Sequence, residues 1–334
     1  MPRYAAITGW GLAVPRRVVT NAELARQMDT SDEWIQSRTG IAQRYVASSD
    51  EPTSMLAAAA GRHALAQAGV LPAAVDTVIV ATCTPDRPFP ATACSVQRLL
   101  EIPRAGAFDL AAACSGFVYG LSVGSSLVQS GMSRTLLLVG ADIFTHLINW
   151  QDRNTSVLFG DGAGAVVLQA TEQPLGLLAS NVGSWGDGET MMAVDAGGTL
   201  LPATPELLAQ GRQYVYMNGR EIFKHAVRGM CESSERALAD AGITLDEIAL
   251  VVPHQANVRI IEAVAKRLGL PMERCFVNLD RYGNTSAASV PIALSEAAQQ
   301  GRIVPGDLVL LTAFGGGLTW GSAVIRWGSP THRG

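Results

Sequence analysis

No uninterrupted apolar run in this sequence approaches the ~18 residues that a membrane-crossing helix needs, although apolar residues make up 48% of the chain. The opening MPRYAAITGWGLAVP has no basic stretch followed by an apolar core. A soluble, cytoplasmic protein without a membrane partner is therefore expected. Charge is scarce, at 16% Asp, Glu, Lys and Arg with a net of −4. That balance excludes a broad nucleic-acid footprint while leaving room for local basic patches. Cysteine is also scarce. The five are Cys83, Cys94, Cys114, Cys231 and Cys275, an odd count at wide spacing with no CxxC pair. A disulfide framework and a zinc site are both excluded on that pattern. No carboxylate cluster has metal-ligand spacing.

What remains is a 334-residue globular chain that repeats itself. ALAQAGVLPAAVDTVIV (64–80) and ALADAGITLDEIALVVP (237–253) lie 173 residues apart. Each reads as a helix closed by Gly, a short turn and a buried strand. TLLLVGA (135–141) is answered by LVLLTAF (308–314), and DGAGAVVLQ (161–169) by TWGSAVIRW (319–327). The pattern predicts a duplicated α/β unit whose strands are buried on both faces. The halves span 1–172 and 173–334. No Pro- or Ser-rich linker parts them, so one rigid body with a site between the halves is expected.

Four stretches carry chemistry. AAACSGF (111–117) sets Cys114 in a collar of small residues, where a strand is expected to give way to a helix over Ser115–Leu127. The positive end of a helix dipole would favour the thiolate, and small neighbours leave room for a substrate. The other four cysteines are read as inert, buried packing. PHQAN (253–257) puts His254 at the carboxyl end of a buried strand, where α/β folds place ligands. His63, His146, His225 and His332 are read as surface residues. DRYGNTSAAS (280–289) holds Asn284 after a Gly and before a run of small residues, and by the repeat this segment takes the place of AAACSGF in the first half, so two helix starts should face each other across a cavity. AFGGGLTWG (313–321) exposes backbone N–H groups that either form an oxyanion hole or merely turn a hairpin. GDGAG (160–164) lacks the layout of a nucleotide loop and reads as close packing.

Cys, His, Asn and the AFGGG loop, in this order, resemble the thiolase-like condensing enzymes, and within them the β-ketoacyl-[acyl-carrier-protein] synthase III family. TSDEWIQSRTGI (30–41), DRNTSVLFGDGAGA (152–165) and MNGREIFKHAV (217–227) are similar to the same family. The resemblance implies a five-layered αβαβα fold, a homodimer, acyl-CoA as primer and malonyl-acyl carrier protein as extender. It implies no permanently bound cofactor. It assigns catalysis to Cys114, His254 and Asn284, and the oxyanion hole to the N–H groups of Cys114 and Gly316. It assigns CoA binding to Thr30, Trp34, Arg38, Arg153 and Asn257. Phe159 and Met217 match acyl-pocket positions, and Phe89 matches a loop that crosses to the partner to close its pocket. Lys224, Arg259, Lys266 and Arg267 match points that meet the carrier protein.

Two rival readings stand beside this one. A paralogue could take a longer or unusual starter, with 187–216 shaping the pocket. A thioester hydrolase or acyl transferase would use Cys114 alone, and would have no need of Asn284 as a second enolate donor. The tail 328–334 carries no readable function.

Overall fold

The computed structural model describes residues 4–328, so His332 and the end of the tail lie outside it. The chain opens with β1 (Tyr4–Ala13). A small ribbon follows, in which β2 (Arg17–Thr20) pairs with β3 (Gln43–Val46) around α1 (Asn21–Leu24) and α2 (Asp32–Thr39). Ser31 starts α2 by accepting a hydrogen bond from the Trp34 N–H at 3.1 Å, and Gly40 ends it at φ +81°. Then come α3 (Thr53–Ala68), β4 (Thr77–Ala81), α4 (Thr92–Leu99), β5 (Gly106–Leu110), α5 (Gly116–Gln129), β6 (Thr135–Asp142), α6 (Arg153–Ser156) and β7 (Gly162–Thr171). The strands form one sheet in the order β1-β7-β6-β4-β5.

The rest of the chain runs β8 (Gly176–Ser184), β9 (Met192–Ala193), α7 (Pro205–Ala209), β10 (Tyr216–Met217), α8 (Gly219–Ala241), β11 (Ile248–Pro253), α9 (Val258–Leu268), α10 (Leu279–Tyr282), α11 (Ser289–Gln299), β12 (Leu308–Gly315) and β13 (Thr319–Arg326). The second sheet has the order β11-β12-β13-β8. It repeats the first sheet, with β11, β12, β13 and β8 in the places of β4, β6, β7 and β1. Even the edge recurs, because Cys275 forms a parallel bridge to Val251 where β5 flanks β4. Gly69 and Gly242 close α3 and α8 at φ +64° and +66°, as the repeated helix-end motif requires.

The periodicity explains the layering. Every residue of β6 and of β12 is buried, which only a sheet covered on both faces allows. α5 and α11 lie between the two sheets, α3 and α4 cover the outside of the first, and α8 covers the outside of the second. The result is the five-layered αβαβα stack. The central core joins Phe117, Leu121 and Val128 of α5 to Val290 and Leu294 of α11. Each such side chain contributes about 1.5–3 kcal/mol on burial. GDGAG is close packing, as its sequence implied: a Cβ on Gly164 would stand 2.6 Å from the Ile292 backbone nitrogen of α11.

Candidate active site

The two halves bring one short turn each to the middle of the molecule. After β5 the chain makes a 3-10 turn over Ala113–Ser115 before α5 begins at Gly116. Its counterpart, Ser286–Ala288, precedes α11. Ala113 (φ +46°) and Ser286 (φ +52°) are both non-glycine residues in the left-handed region, 173 residues apart like the rest of the repeat. By this register Cys114 stands opposite Ala287. The expectation that the turns face each other across a cavity is corrected by the structure, because they touch. The Cys114 thiol lies 3.5 Å from Ser286 Oγ, to which it donates.

Cys114 is buried, and its surroundings reverse the thiolate expectation. Burial pushes its pKa up to about 12. The Ser286 hydroxyl acts in the opposite direction, and the nearby Asp142 carboxylate adds to the rise. The local argument from a helix start omits what the other half of the molecule buries against the sulfur. Asp142 is itself fully buried and organises the region. It accepts from Thr82 Oγ1, Cys83 N and Thr84 N at 2.8–3.1 Å, and from Ala287 N at 3.1 Å.

His254 follows β11 directly, and its backbone N–H is held by Thr312 O at 2.8 Å. Gln255 fixes this turn by donating to Pro253 O and Phe276 O. Burial alone draws the His254 pKa down to about 4, so its imidazole is neutral at ordinary pH. Its Nδ1 is buried without a hydrogen-bond partner among the described residues. Asn284 is stitched to the strand-like segment before β7, with its N–H on Leu158 O and its carbonyl accepting from Gly160 N. Asn284 Oδ1 accepts from Ser286 N at 3.0 Å. That leaves the amide N–H groups as what Asn284 offers the cleft.

Cys114, His254, Asn284 and Gly316 line one cleft of about 830 Å³. The cleft runs to a rim where Trp34, Arg38 and Arg153 lie together. The Arg153 guanidinium sits 4.7 Å from the Trp34 ring centre and that of Arg38 5.6 Å. A second cavity, of about 770 Å³, lies on the far side of Cys114. Among the described residues only Cys114, Met192 and Gly316 line both. Cys114 thus stands at a junction. Phe159, on the cleft side, stacks on Phe144, on the cavity side, at 4.2 Å between ring centres. The glycine hairpin packs straight onto the turn that carries Cys114: a Cβ on Gly315 would fall 2.6 Å from Cys114 N.

The remaining expectations meet the structure as follows. Met217 and Phe159 line the cleft and not the second cavity. Asn257 lines the cleft, but its Oδ1 caps α9 through Arg259 N and its Nδ2 donates to Arg38 O. Thr30 does not line the cleft, and its hydroxyl is buried without a partner. Phe89 is 85% exposed. Lys224 pairs with Glu221 at 2.8 Å, Arg267 lies 3.9 Å from Glu232, Arg259 donates to Ser37 O, and Lys266 is exposed. Two cysteines depart from the buried reading. Cys94 is exposed, on the face of α4 opposite its buried Ala93 and Val96. Cys83 is half-buried, lines the second cavity and lies 3.7 Å from Ser286 Oγ. His225 is half-buried against Trp185, while His63 and His146 are exposed as expected. Residues 187–216 do reach the site, through Met192, Val194 and Val215. Among the described residues no three His, Cys, Asp or Glu side chains group to hold a metal ion, and no helix is long and apolar enough to cross a membrane.

Residues 108–186 match the family model of 3-oxoacyl-[acyl-carrier-protein (ACP)] synthase III, and residues 238–327 match that of its C-terminal part. A beta-ketoacyl-[acyl-carrier-protein] synthase III of Roseiflexus sp. (strain RS-1) is 68% identical over 327 residues, 98% of this chain and 99% of the relative. The chain belongs to the beta-ketoacyl-[acyl-carrier-protein] synthase III family. Among solved structures, the synthase III of Aquifex aeolicus VF5 superposes with a TM-score of 0.90 at 45% identity, over 97% of this chain and all of that one. A priming beta-ketosynthase of the R1128 polyketide pathway superposes at 0.91 with 35% identity, over 98% of both chains. For a synthase III the sequence motifs single out Cys114, His254 and Asn284, and all three line the cleft. They say nothing of Ser286, Asp142 or the Phe144 wall. Those residues meet the site only through the packing of one half on the other, and no local pattern marks them.

Proposed function

We propose that the chain starts acyl chains by joining an acyl-CoA primer to malonyl-acyl carrier protein with loss of CO2. The observation that carries this reading is the position of Cys114 between two cavities, with His254 and Asn284 on the cleft side only. The primer enters along the cleft with its adenine at Trp34, Arg38 and Arg153 and with Thr30 and Asn257 nearby. Cys114 sulfur attacks the thioester carbonyl, CoA leaves as its thiol, and the acyl group passes to Cys114 and into the second cavity. The N–H groups of Cys114 and Gly316 hold the oxyanion. Malonyl-carrier protein then uses the same cleft. Loss of CO2 leaves an enolate whose oxygen is held by the neutral His254 imidazole and the Asn284 amide. Its carbon attacks the acyl-Cys114 carbonyl, and the β-ketoacyl carrier protein departs as the thiol of Cys114 is restored.

Residues 1–172 thus supply the nucleophile, and 173–334 supply both donors and the glycine loop. Acyl-CoA is a substrate, and no permanently bound cofactor is needed. Lys224, Arg259, Lys266 and Arg267 form the surface that meets the acidic carrier protein. The chain works as a homodimer, in keeping with exposed Phe89 and with Phe108 exposed on edge strand β5. Five free thiols suit the reducing cytoplasm.

The test separates the half-reactions. His254→Ala and Asn284→Ala should keep most acyl transfer to Cys114 but lose malonyl decarboxylation by about a hundredfold, the cost of one enolate donor. Equal loss of both half-reactions would refute the assigned roles, and an acyl group mapped by mass spectrometry to another cysteine would refute the nucleophile. A second reading, a longer starter, draws on the 770 Å³ of the second cavity. Radiolabelled malonyl-carrier protein with primers from acetyl to dodecanoyl decides it.

A further inference from the structure

Arg44, on β3, is fully buried, and none of the described carboxylates lies within ion-pair distance of it. The nearest negative charge, Asp32, is reached through Asn21. Burial draws the guanidinium down to about 10. A chain keeps so costly a group dry only by giving it partners, and Arg44 has three carbonyl oxygens to serve. Nη1 donates to Asn21 Oδ1 at 2.7 Å and more weakly to Val19 O at 3.4 Å. Nη2 donates to Val157 O at 2.8 Å.

Those partners lead to the two short helices at the rim. Asn21 passes the contact on through Nδ2 to Asp32 Oδ1 at 2.8 Å, at the first residue of α2. Asp32 in turn accepts from Gln36 one turn along α2. Val157 is the residue that ends α6. α2 carries Trp34 and Arg38, and α6 opens with Arg153. Helices of eight and four residues have too few internal hydrogen bonds to hold their own positions. One planar fork, with one arm toward each helix, sets the spacing between them. Its far side is equally constrained: a Cβ on Gly283, next to Asn284, would lie 3.2 Å from Arg44 Cβ.

We propose that Arg44 is a positioning residue for the nucleotide end of the primer: it spaces α2 from α6 and so sets the gap between Trp34 and Arg153. This rests on the reading that Trp34, Arg38 and Arg153 hold the adenine of acyl-CoA. The experiment compares acyl-CoA with acyl-pantetheine, which has the same thioester but no nucleotide. Arg44→Met should raise KM for acyl-CoA about tenfold, the loss of one charged hydrogen bond. It should leave kcat with acyl-CoA and kcat/KM with acyl-pantetheine within about twofold, since the reacting groups are untouched. Arg44→Lys, which can reach only one of the two helices, should fall between Arg44→Met and the parent. Asn21→Ala cuts the α2 arm while keeping the guanidinium and its Val157 contact. It should raise KM for acyl-CoA selectively, and it decides the matter if neither Arg44 variant folds. Trp34→Ala controls the reading beneath. If Trp34→Ala spares acyl-CoA, the adenine site itself falls and the role of Arg44 with it. If Trp34→Ala raises KM but the folded Arg44 and Asn21 variants do not, only the role of Arg44 is overturned. Equal losses with both substrates would also overturn it, leaving Arg44 a core residue.

Discussion

Removing the Ser286 hydroxyl tests how Cys114 becomes reactive. The thiol is pushed up to about 12 by burial, so at pH 8 only about one molecule in 10⁴ carries the thiolate. Alkylation of Cys114 should therefore climb about tenfold per pH unit from 7 to 10 without levelling. Ser286 Oγ, at 3.5 Å, is the hydrogen-bond partner of the sulfur, and on ionisation the hydroxyl turns from acceptor to donor. A hydrogen bond to a charged group contributes about 1.5–3 kcal/mol, or about one to two pK units. Ser286→Ala should lower the thiolate fraction about 10- to 100-fold, while the more basic sulfur regains about half of that on the logarithmic scale. The net slowing is about 3- to 10-fold at every pH, with the slope unchanged. The assay is iodoacetamide labelling, quantified at Cys114 by mass spectrometry at four pH values. Ser286→Gly is the companion variant, because glycine accepts φ +52° without strain. The same slowing in both variants assigns the effect to the hydroxyl. A rate that levels off below pH 9 in the parent, or no slowing in either variant, would refute the reasoning.

Two further outcomes follow from the same geometry. His254 is buried neutral with a pKa near 4, whereas the unfolded chain takes up that proton near 6.5. Between those values the unfolded state binds more protons, so stability falls as pH falls, by about 2 kcal/mol between pH 7.5 and 5. Denaturant unfolding of parent and His254→Asn across this window should show the extra slope in the parent alone, and equal slopes would contradict a buried neutral imidazole. Phe89 is exposed, and if it caps the partner's second cavity, Phe89→Ala should shift primer preference toward longer or branched acyl-CoAs. An unchanged primer profile in a mutant that sedimentation shows to be dimeric would move the search for the cap to residues 187–217.

The repeat was legible because each half must cover a sheet on both faces, and the only strands that do so are continuous apolar runs such as TLLLVGA and LVLLTAF. Cys114 and His254 were legible because each follows a strand end, and Asn284 because it follows a glycine and precedes a run of small residues. The thiol's environment was not. Ser286 lies 172 residues from Cys114 in the chain and touches it only when the two turns pack together. Asp142 reads in the sequence as the ordinary end of a strand, yet its carboxylate gathers Thr82, Cys83, Thr84 and Ala287. Arg44 reads as a surface arginine on a short polar strand, and nothing local shows that β2, α6 and the 283 turn close over it. Cys94 was misjudged because the amphipathic phase of α4 turns it outward, and a helix of eight residues offers too short a window to fix that phase.

The junction at Cys114 also imposes traffic rules. On the proposed roles, the two thioesters share the one cleft that runs from the Trp34 rim to the sulfur, so they must take turns in it. The first must leave its pantetheine arm's place empty before the second can arrive, which makes the order of events a property of the walls and independent of any affinity. An excess of primer would then crowd out the extender by re-entering a corridor whose far room is already occupied. High acyl-CoA should slow the enzyme, and added malonyl-carrier protein should restore its speed.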